Sequence, residues 1–184
     1  MVNEMENKKI RFGLIGTSKI TEEFLKAGVI VEGFQLEAVY SRKKDTAEEF
    51  AQRHEAKYTF TNIEEMAKSD LIDAVYIASP NAFHYAQAKI FLQNKKHVFC
   101  EKPMASNSSE VREMIELAKK NNVLLMEGMK TTLLPNFQII KNNINKIGKI
   151  RRYFASYCQY SSRYDKLKEG IILNAFKQNY LMEL

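Results

Sequence analysis

Short apolar runs alternate with helical patterns along most of this sequence, and this alternation limits the possible folds more than any other feature. The apolar runs have the length of strands, and the segments between them place apolar residues three and four positions apart, as one helix face requires. Strands and helices that alternate at this spacing form right-handed βαβ units, whose parallel sheet is covered by helices on both faces. The sequence therefore predicts a doubly wound parallel α/β fold. The predicted strands are 10–15, 36–40, 57–60, 74–77, 97–100 and 123–126, and the predicted helices begin near residues 20, 46, 81 and 107.

Two asparagines are expected to cap helices. Asn81 follows the fourth predicted strand, where its side chain can accept a hydrogen bond from a backbone amide of the next helix. Asn107 stands three residues before Glu110, and this spacing resembles a capping box.

The pattern changes after Pro135. An amphipathic helix is predicted over residues 136–147, and the Tyr- and Phe-rich run over residues 150–160 is predicted to form one strand of an antiparallel sheet. One predicted strand does not make a domain, so the pattern predicts one complete domain, residues 1–127 with the parallel sheet.

The composition excludes some classes of function. The 184 residues carry a net charge of +6, but basic residues are mixed with acidic ones along the chain, which disfavours nucleic acid as a partner. No apolar run approaches the roughly 20 residues that span a bilayer, and the N-terminus lacks the apolar stretch of a signal peptide. Cys100 and Cys158 are far apart and are interpreted as reduced thiols. We therefore expect a cytoplasmic protein without a membrane partner, whose positive charge suits an anionic small molecule.

A glycine-containing turn follows the first predicted strand. In the segment GLIGTSKIT, Gly16 stands where a dinucleotide-binding fold has its first turn glycine, with Ser18 and Thr21 at the second and third positions. The helix that follows would present free amides and the positive end of its dipole to an anion, and the Ser18 hydroxyl could add a donor. An ordinary strand-to-helix turn would also explain these residues.

Basic residues end the second predicted strand. A protein that prefers NAD usually has an acidic residue here, which binds the ribose hydroxyls, but this sequence has Ser41, Arg42 and Lys43. The planar guanidinium of Arg42 could pair with a 2′-phosphate, and Lys43 could add charge. The sequence therefore favours NADP over NAD, with a solvated basic turn as the alternative.

Polar side chains also follow the fourth predicted strand. Small residues around Ser79 would let the nicotinamide ribose come close, and Asn81 opens a helix at the same sheet edge. His84 lies one turn into that helix and is a candidate contact in the same crevice, although a lone histidine is commonly structural.

The fifth predicted strand ends abruptly in Glu101, Lys102 and Pro103. Because proline cannot continue a central ladder, Pro103 ends the strand and restricts the conformation of Lys102. Ligands of open α/β sheets bind beyond such strand ends, so Lys102 is a candidate for contact with a substrate. A solvated lysine is the alternative.

In this order the segments GLIGTSKIT, VYSRK, IASPNAFH, VFCEKP and VLLMEG resemble the Gfo/Idh/MocA family of NAD(P)-dependent oxidoreductases. The resemblance implies a Rossmann-type fold and hydride transfer between a nicotinamide cofactor and a sugar, polyol or related secondary alcohol. It also implies that Lys102 is the catalytic residue beside the nicotinamide, that Glu101 helps to fix the ribose, and that a cis bond often precedes Pro103. The expected cofactor-binding residues are Gly16, Thr17, Ser18, Lys19, Ile20, Ser41, Arg42, Ser79, Asn81, His84, Glu101 and Lys102.

The sequence departs from this family near its C-terminus. The resemblance implies a complete second domain with a catalytic histidine in a D-x-G-x-x-H segment, and no such segment occurs here. It therefore implies that residues 128–184 are the truncated start of an α+β domain. Codons that spell the ending KQNYLMEL become codons for KPELSDGA when one C is inserted after the Lys177 codon, so a frameshifted reading of a longer gene is expected. The 150–160 strand would then be an unprotected edge, which favours a homo-oligomer. A non-catalytic dinucleotide-binding module or regulator, and a nonfunctional remnant, are the alternatives to an oxidoreductase.

Overall fold

The computed structural model describes residues 9–156, 158 and 169. The chain divides into two compact units, of which the first ends at Gly128 and the second begins at Met129. The first unit contains the sheet that the alternating pattern predicts.

This sheet has six strands in the order β3-β2-β1-β4-β5-β6, and every neighbouring pair is parallel. The chain builds outward from β1 to β3 on one side and then returns to place β4 on the other side of β1. The strand order therefore reverses between β1 and β4, and such a reversal opens a crevice at the carboxyl ends of the strands. The predicted doubly wound α/β fold is confirmed. The strands are β1 (Ile10–Ile15), β2 (Phe34–Tyr40), β3 (Tyr58–Phe60), β4 (Ala74–Ile77), β5 (His97–Cys100) and β6 (Leu125–Glu127).

Helices cover both faces of the sheet. Neighbouring residues of a strand point to opposite faces, so apolar side chains on both faces need a helix to pack against. Leu14 belongs to one buried cluster, together with side chains of the first two helices, whereas Ile15 belongs to a second cluster with side chains of the next three. The sheet core is therefore divided into two layers. The helices of the described chain are α1 (Lys19–Gly28), α2 (Lys44–Arg53), α3 (Ile63–Lys68), α4 (His84–Gln93), α5 (Ser108–Asn121) and α6 (Pro135–Asn143).

An aromatic cluster fixes α1 on the sheet. The Phe24 ring stacks on the Tyr76 ring of β4 with centroids 3.8 Å apart, and the Phe99 ring of β5 contacts Phe24 edge-on at 5.7 Å. Each such pair contributes about 0.5–1.5 kcal/mol beyond the burial of its surface. α1 is therefore held at a defined place on the sheet.

Asn107 caps α5 as predicted. Its Oδ1 accepts hydrogen bonds from the backbone amides of Ser109 and Glu110, both at 3.0 Å. The Glu110 carboxylate accepts a hydrogen bond from the Ser106 amide at 2.9 Å, one residue earlier than a capping box requires.

Asn81 does not cap α4. The Pro80 carbonyl accepts a hydrogen bond from the Phe83 amide at 2.9 Å, which starts a short 3₁₀ helix, Asn81–Phe83. Asn81 consequently lies inside this turn, and α4 begins only at His84.

The second unit contains α6 and two short 3₁₀ helices, Lys130–Leu133 and Ile144–Ile147. The predicted strand over residues 150–160 is not found where the structure describes the chain, because residues 150–156 form no regular element. A strand requires a hydrogen-bonded neighbour, and the aromatic residues Tyr153 and Phe154 are more than four-fifths exposed, at 83% and 82%. Of the remaining predicted strand positions, 157, 159 and 160 lie outside the described residues.

Within residues 9–156, none of the helices has the length and apolar content needed to cross a membrane.

Candidate functional site

A cavity of about 450 Å³ lies beyond the carboxyl ends of β1, β2 and β4, where the strand order reverses. Its volume is within the range of small-molecule and cofactor sites. It is lined by six residues that the sequence predicts as cofactor contacts: Gly16, Thr17, Ser18, Ser41, Arg42 and Ser79. It is also lined by six residues that the sequence reasoning missed: Ile15, Tyr40, Ala78, Pro80, Phe83 and Gln87.

Gly16 lies in the turn between β1 and α1. Its φ of +101° lies in a region that favours glycine, and a Cβ atom placed on it would stand 2.5 Å from the Ala78 carbonyl oxygen. The two backbones can approach each other only because position 16 lacks a side chain. The turn is further held by Thr21, whose buried hydroxyl donates to the Gly16 carbonyl at 3.0 Å.

The N-terminus of α1 opens beside this turn. Ser18 is the N-cap residue and has an extended backbone, and its side chain makes no capping hydrogen bond. Amides of the first turn and the positive end of the helix dipole can therefore act on an anion in the cavity. Lys19 and Ile20, which the sequence also predicts as contacts, lie in the first turn of α1 but do not line the cavity.

The end of β2 contributes the basic side of the cavity. The Ser41 amide donates to the Phe60 carbonyl at 3.1 Å, and the Ser41 hydroxyl accepts from the Lys43 amide at 3.4 Å, so both ends of the turn are held. The Arg42 side chain is exposed, and no ion pair of Arg42 is found in the part of the chain that the structure describes. Its guanidinium is therefore available to an anionic ligand.

The opposite wall follows β4. The Ser79 hydroxyl donates to the side-chain oxygen of Gln87 at 2.6 Å, so a residue of α4 orients Ser79 in the cavity wall. Asn81 stands in the 3₁₀ helix after Pro80 and is not part of the lining.

His84 differs from the expected cofactor contact because its ring has no exposed surface. Its Nδ1 lies 2.8 Å from the Pro103 carbonyl oxygen, and its Nε2 lies 2.8 Å from the Ser79 carbonyl oxygen. Both ring nitrogens are therefore occupied by backbone groups of the protein.

Glu101 stands at the end of β5, where its carboxylate accepts a hydrogen bond from the Tyr76 hydroxyl at 2.8 Å. Burial of Tyr76, together with this carboxylate, raises the pKa of the tyrosine and keeps its hydroxyl a donor. A Cβ atom on Gly128 would stand 2.9 Å from Glu101 Oε1, so the chain after β6 passes close to this carboxylate. Tyr76 thus orients the Glu101 carboxylate, and the absence of a side chain at Gly128 leaves room for it.

Lys102 follows Glu101 and is exposed. The peptide bond between Lys102 and Pro103 is cis, as the family resemblance implies. Neither Glu101 nor Lys102 lines the cavity formed at β1, β2 and β4.

Comparison with protein families identifies the sheet-containing unit. The model of a family described as "Oxidoreductase family, NAD-binding Rossmann fold" (GFO_IDH_MocA) matches residues 10–129. This range includes all six strands and every residue that lines the cavity.

Comparison with curated proteins gives close relatives. The chain is 57% identical over 168 residues to a scyllo-inositol 2-dehydrogenase (NADP(+)) of Bacillus subtilis, a match that covers 91% of this chain and 51% of that protein. It is 47% identical over 167 residues to an uncharacterized oxidoreductase of Escherichia coli, again covering 91% of this chain and 51% of the relative. The chain therefore spans about half the length of these relatives.

Solved structures show the same fold. The crystal structure of a myo-inositol 2-dehydrogenase from Lactobacillus plantarum superimposes with a TM-score of 0.69 at 26% identity, covering 78% of this chain and 43% of that chain. The family match, the relatives and the fold agree, and we conclude that this chain belongs to the Gfo/Idh/MocA family of NAD(P)-dependent oxidoreductases.

Proposed function

We propose that this chain binds NADP(H) in the cavity beyond β1, β2 and β4, and that it forms the cofactor-binding part of a dehydrogenase of sugars, polyols such as inositols, or related secondary alcohols. The bound nicotinamide would supply the hydride acceptor or donor. In this proposal the first unit is the dinucleotide-binding domain, and the second unit is the start of a substrate domain. The relative named as an NADP(+)-dependent scyllo-inositol dehydrogenase, at 57% identity, supports the cofactor and the polyol class.

The residues present fit a dinucleotide. The glycine at position 16 leaves backbone free to approach a pyrophosphate, since any Cβ there would lie 2.5 Å from the Ala78 carbonyl oxygen. The first turn of α1 offers amides to the same anion, and Ser18 offers a hydroxyl that is not used in capping. These groups would hold the phosphates by their hydrogen bonds.

The basic end of β2 is the single observation that carries the NADP assignment. Ser41 and Arg42 line the cavity at the strand end, where an NAD-specific site would have a carboxylate for the ribose hydroxyls. A carboxylate would repel a 2′-phosphate, whereas the Arg42 guanidinium would bind it with two parallel hydrogen bonds.

Lys102 would act on the substrate. When a ketone is reduced, its ammonium at the end of β5 would donate a proton from Nζ to the substrate oxygen as hydride arrives from the nicotinamide. When an alcohol is oxidised, the ammonium would stabilise the negatively charged substrate oxygen by a hydrogen bond as hydride leaves. Glu101 would help by fixing the strand end and by offering its remaining lone pairs to a ribose hydroxyl, because the Tyr76 hydroxyl already holds this carboxylate in place.

Titration of the chain with NADPH and with NADH tests the cofactor assignment. A charge-assisted contact of about 1.5–3 kcal/mol corresponds to at least tenfold tighter binding of NADPH, and we expect Arg42→Asp to remove this preference. Arg112→Asp is the matched control, since Arg112 is an exposed residue of α5 that does not line the cavity. Equal affinities of the parent chain for NADPH and NADH would refute the NADP assignment.

Exposed apolar side chains in the second unit support the expectation of self-association. Ile139 and Ile140 of α6 are 60% and 59% exposed, and Tyr153 is 83% exposed. Exposed apolar side chains favour association when they form a patch. We propose a cytoplasmic homo-oligomer, and light scattering coupled to size-exclusion chromatography would reject it if the chain eluted as a monomer at all concentrations.

A further inference from the structure

A carboxamide from α4 completes the cavity wall on the side of β4. The Ser79 hydroxyl donates to the side-chain oxygen of Gln87 at 2.6 Å, and both residues line the cavity. Of the described residues that line this side, Ser79 and Gln87 are polar, whereas Ala78, Pro80 and Phe83 are apolar. Polar recognition of a ligand on this side therefore falls to the Ser79–Gln87 pair.

The length of this hydrogen bond indicates which end of the carboxamide faces Ser79. Hydrogen bonds between two oxygens are about 2.5–3.0 Å long, whereas those from nitrogen to oxygen are about 2.7–3.2 Å. A bond of 2.6 Å fits a hydroxyl that donates to Oε1 and is too short for one that accepts from Nε2. Ser79 therefore sets the orientation of the Gln87 carboxamide.

Most of the hydrogen-bonding capacity of Gln87 is left for a ligand. A carboxamide oxygen can accept two hydrogen bonds, and its nitrogen can donate two. Within residues 9–156, the bond from Ser79 is the only hydrogen bond of the Gln87 side chain. One acceptor position on Oε1 and two N–H groups on Nε2 thus stand side by side in the cavity lining.

An NADP(H) molecule bound as proposed would bring its adenine to this part of the cavity. Its 2′-phosphate and its adenine are attached to adjacent carbon atoms of one ribose, so the base must lie near the phosphate that Arg42 would bind. Arg42 lines the cavity beyond β2 and Gln87 lines it on the side of β4, with β1 between these strands. Neighbouring strands are about 4.8 Å apart, so the ends of β2 and β4 are about 10 Å apart. A nucleoside can bridge this gap.

The free groups of Gln87 match the edge of an adenine base. Adenine presents its N6 amino group as a donor beside the acceptor N7, and a glutamine carboxamide can pair with both at once. Oε1 would accept from the N6 amino group, and Nε2 would donate to N7. Phe83 is 45% exposed in the same lining and offers a ring face on which the base can stack.

We propose that Gln87 recognises the adenine base of NADP(H), and that Ser79 is a positioning residue that holds the Gln87 carboxamide in the matching orientation. The proposal rests on the proposed function, since it assigns a role within the NADP(H) cavity. A base with a carbonyl oxygen in place of the N6 amino group is disfavoured, because that oxygen would meet Oε1 acceptor to acceptor.

Titration of the full 184-residue chain with NADPH and with its hypoxanthine analogue, deamino-NADPH, measures this recognition. The analogue has a carbonyl oxygen where adenine has its N6 amino group, and the rest of the cofactor is unchanged. We expect NADPH to bind about fivefold more tightly or better, as one bidentate base contact predicts. Equal affinities of the parent chain for the two compounds would overturn the proposal.

Gln87→Leu tests the carboxamide itself. Leucine cannot distinguish an amino group from a carbonyl, so the two affinities should come within twofold of each other. Gln93→Leu is the matched control, because Gln93 is an exposed residue of the same helix that does not line the cavity, and this variant should keep the parent ratio. A Gln87→Leu variant that keeps the parent ratio would contradict the role of Gln87.

Ser79→Ala tests the positioning role. Without the hydroxyl the carboxamide can turn over and direct Nε2 at a carbonyl oxygen, so we expect the ratio of the two affinities to fall within twofold although Gln87 is present. A merely structural loss would weaken the binding of both compounds equally, and an unchanged ratio would contradict the positioning role of Ser79.

The same titrations separate this proposal from the proposed function. A parent chain that binds neither compound would refute the proposed function and the adenine recognition with it. A parent chain that prefers NADPH over NADH but binds deamino-NADPH as tightly as NADPH would overturn only the roles of Gln87 and Ser79.

Discussion

Gly16 and Ala78 lie so close together that a Cβ atom on Gly16 would stand 2.5 Å from the Ala78 carbonyl oxygen. The contact joins the turn after β1 to the end of β4, which are the two sides of the strand reversal. This approach leaves no room for a side chain at position 16 in the cavity lining.

Gly16→Ala should therefore damage both stability and cofactor binding. A φ of +101° costs a non-glycine residue about 1–3 kcal/mol, and the Cβ contact with backbone adds to this cost. We expect a lower melting temperature and at least tenfold weaker binding of NADPH. The control is Gly33→Ala, where a Cβ atom would meet nothing within 4 Å, and its stability should change by no more than about 0.5 kcal/mol. Equal melting temperatures and equal NADPH affinities of the Gly16→Ala and Gly33→Ala variants would show that neither stability nor cofactor binding requires the close approach of Gly16 to Ala78.

Lys102 should be needed for chemistry but not for cofactor binding. The chain spans about half of the Bacillus subtilis relative, so a chimaera of residues 1–128 with the C-terminal part of that relative would supply the proposed substrate domain. We expect the chimaera to oxidise scyllo-inositol with NADP(+), and Lys102→Ala to lose most of this turnover. The affinity of the variant for NADPH should stay within twofold of the parent chimaera. Full turnover in Lys102→Ala would mean that this lysine is only a solvated charge.

Lys95→Gly should stabilise the fold. Lys95 has a φ of +59° and follows the C-cap of α4, where its amide donates to the Leu92 carbonyl and the Lys96 amide donates to the Phe91 carbonyl. This is a Schellman motif, whose left-handed residue is most often glycine. We expect a gain of about 0.5–1 kcal/mol in the free energy of unfolding, measured with urea. Lys95→Ala keeps the strained φ, and a gain as large as that of glycine would contradict this explanation.

Cys100 should resist alkylation in the native protein. Burial, and then the charges of Glu101 and Glu127, raises the pKa of the Cys100 thiol to about 12, so almost no thiolate is present at pH 8. Cys158 is exposed and should react with iodoacetamide under the same conditions. Peptide mass spectrometry of the native and urea-unfolded chain distinguishes the two sites, and Cys158→Ser should remove the native reaction. Rapid native labelling of Cys100 would show that the end of β5 opens readily.

The sequence predicted the central sheet well because buried parallel strands are short apolar runs. β4 and β5 begin and end at the predicted residues: Asp73 precedes β4, and Lys96 and Glu101 flank β5. α3 was not predicted, because its six residues are too few to show a helical period. The run over residues 150–156 has the composition of a strand but none of its structure, because composition does not specify a pairing partner.

The site could be predicted in part for a similar reason. Residues such as Gly16 and Arg42 directly follow strands, and strand ends determine where they lie. Gln87 comes from the second turn of α4 and reaches the cavity by tertiary packing, which no local pattern reveals. The burial of His84 also depends on a distant turn, at Pro103, and could not be inferred from the residues around it.

Calorimetric titration of the full chain with NADPH tests the central claim most directly. We expect one NADPH per chain, displaced by adenosine 2′,5′-bisphosphate at least tenfold more effectively than by adenosine 5′-monophosphate, because only the former carries the phosphate that Arg42 would bind. A chain that takes up no NADPH, or from which the two nucleotides displace it equally well, would contradict the assignment of this cavity to NADP(H).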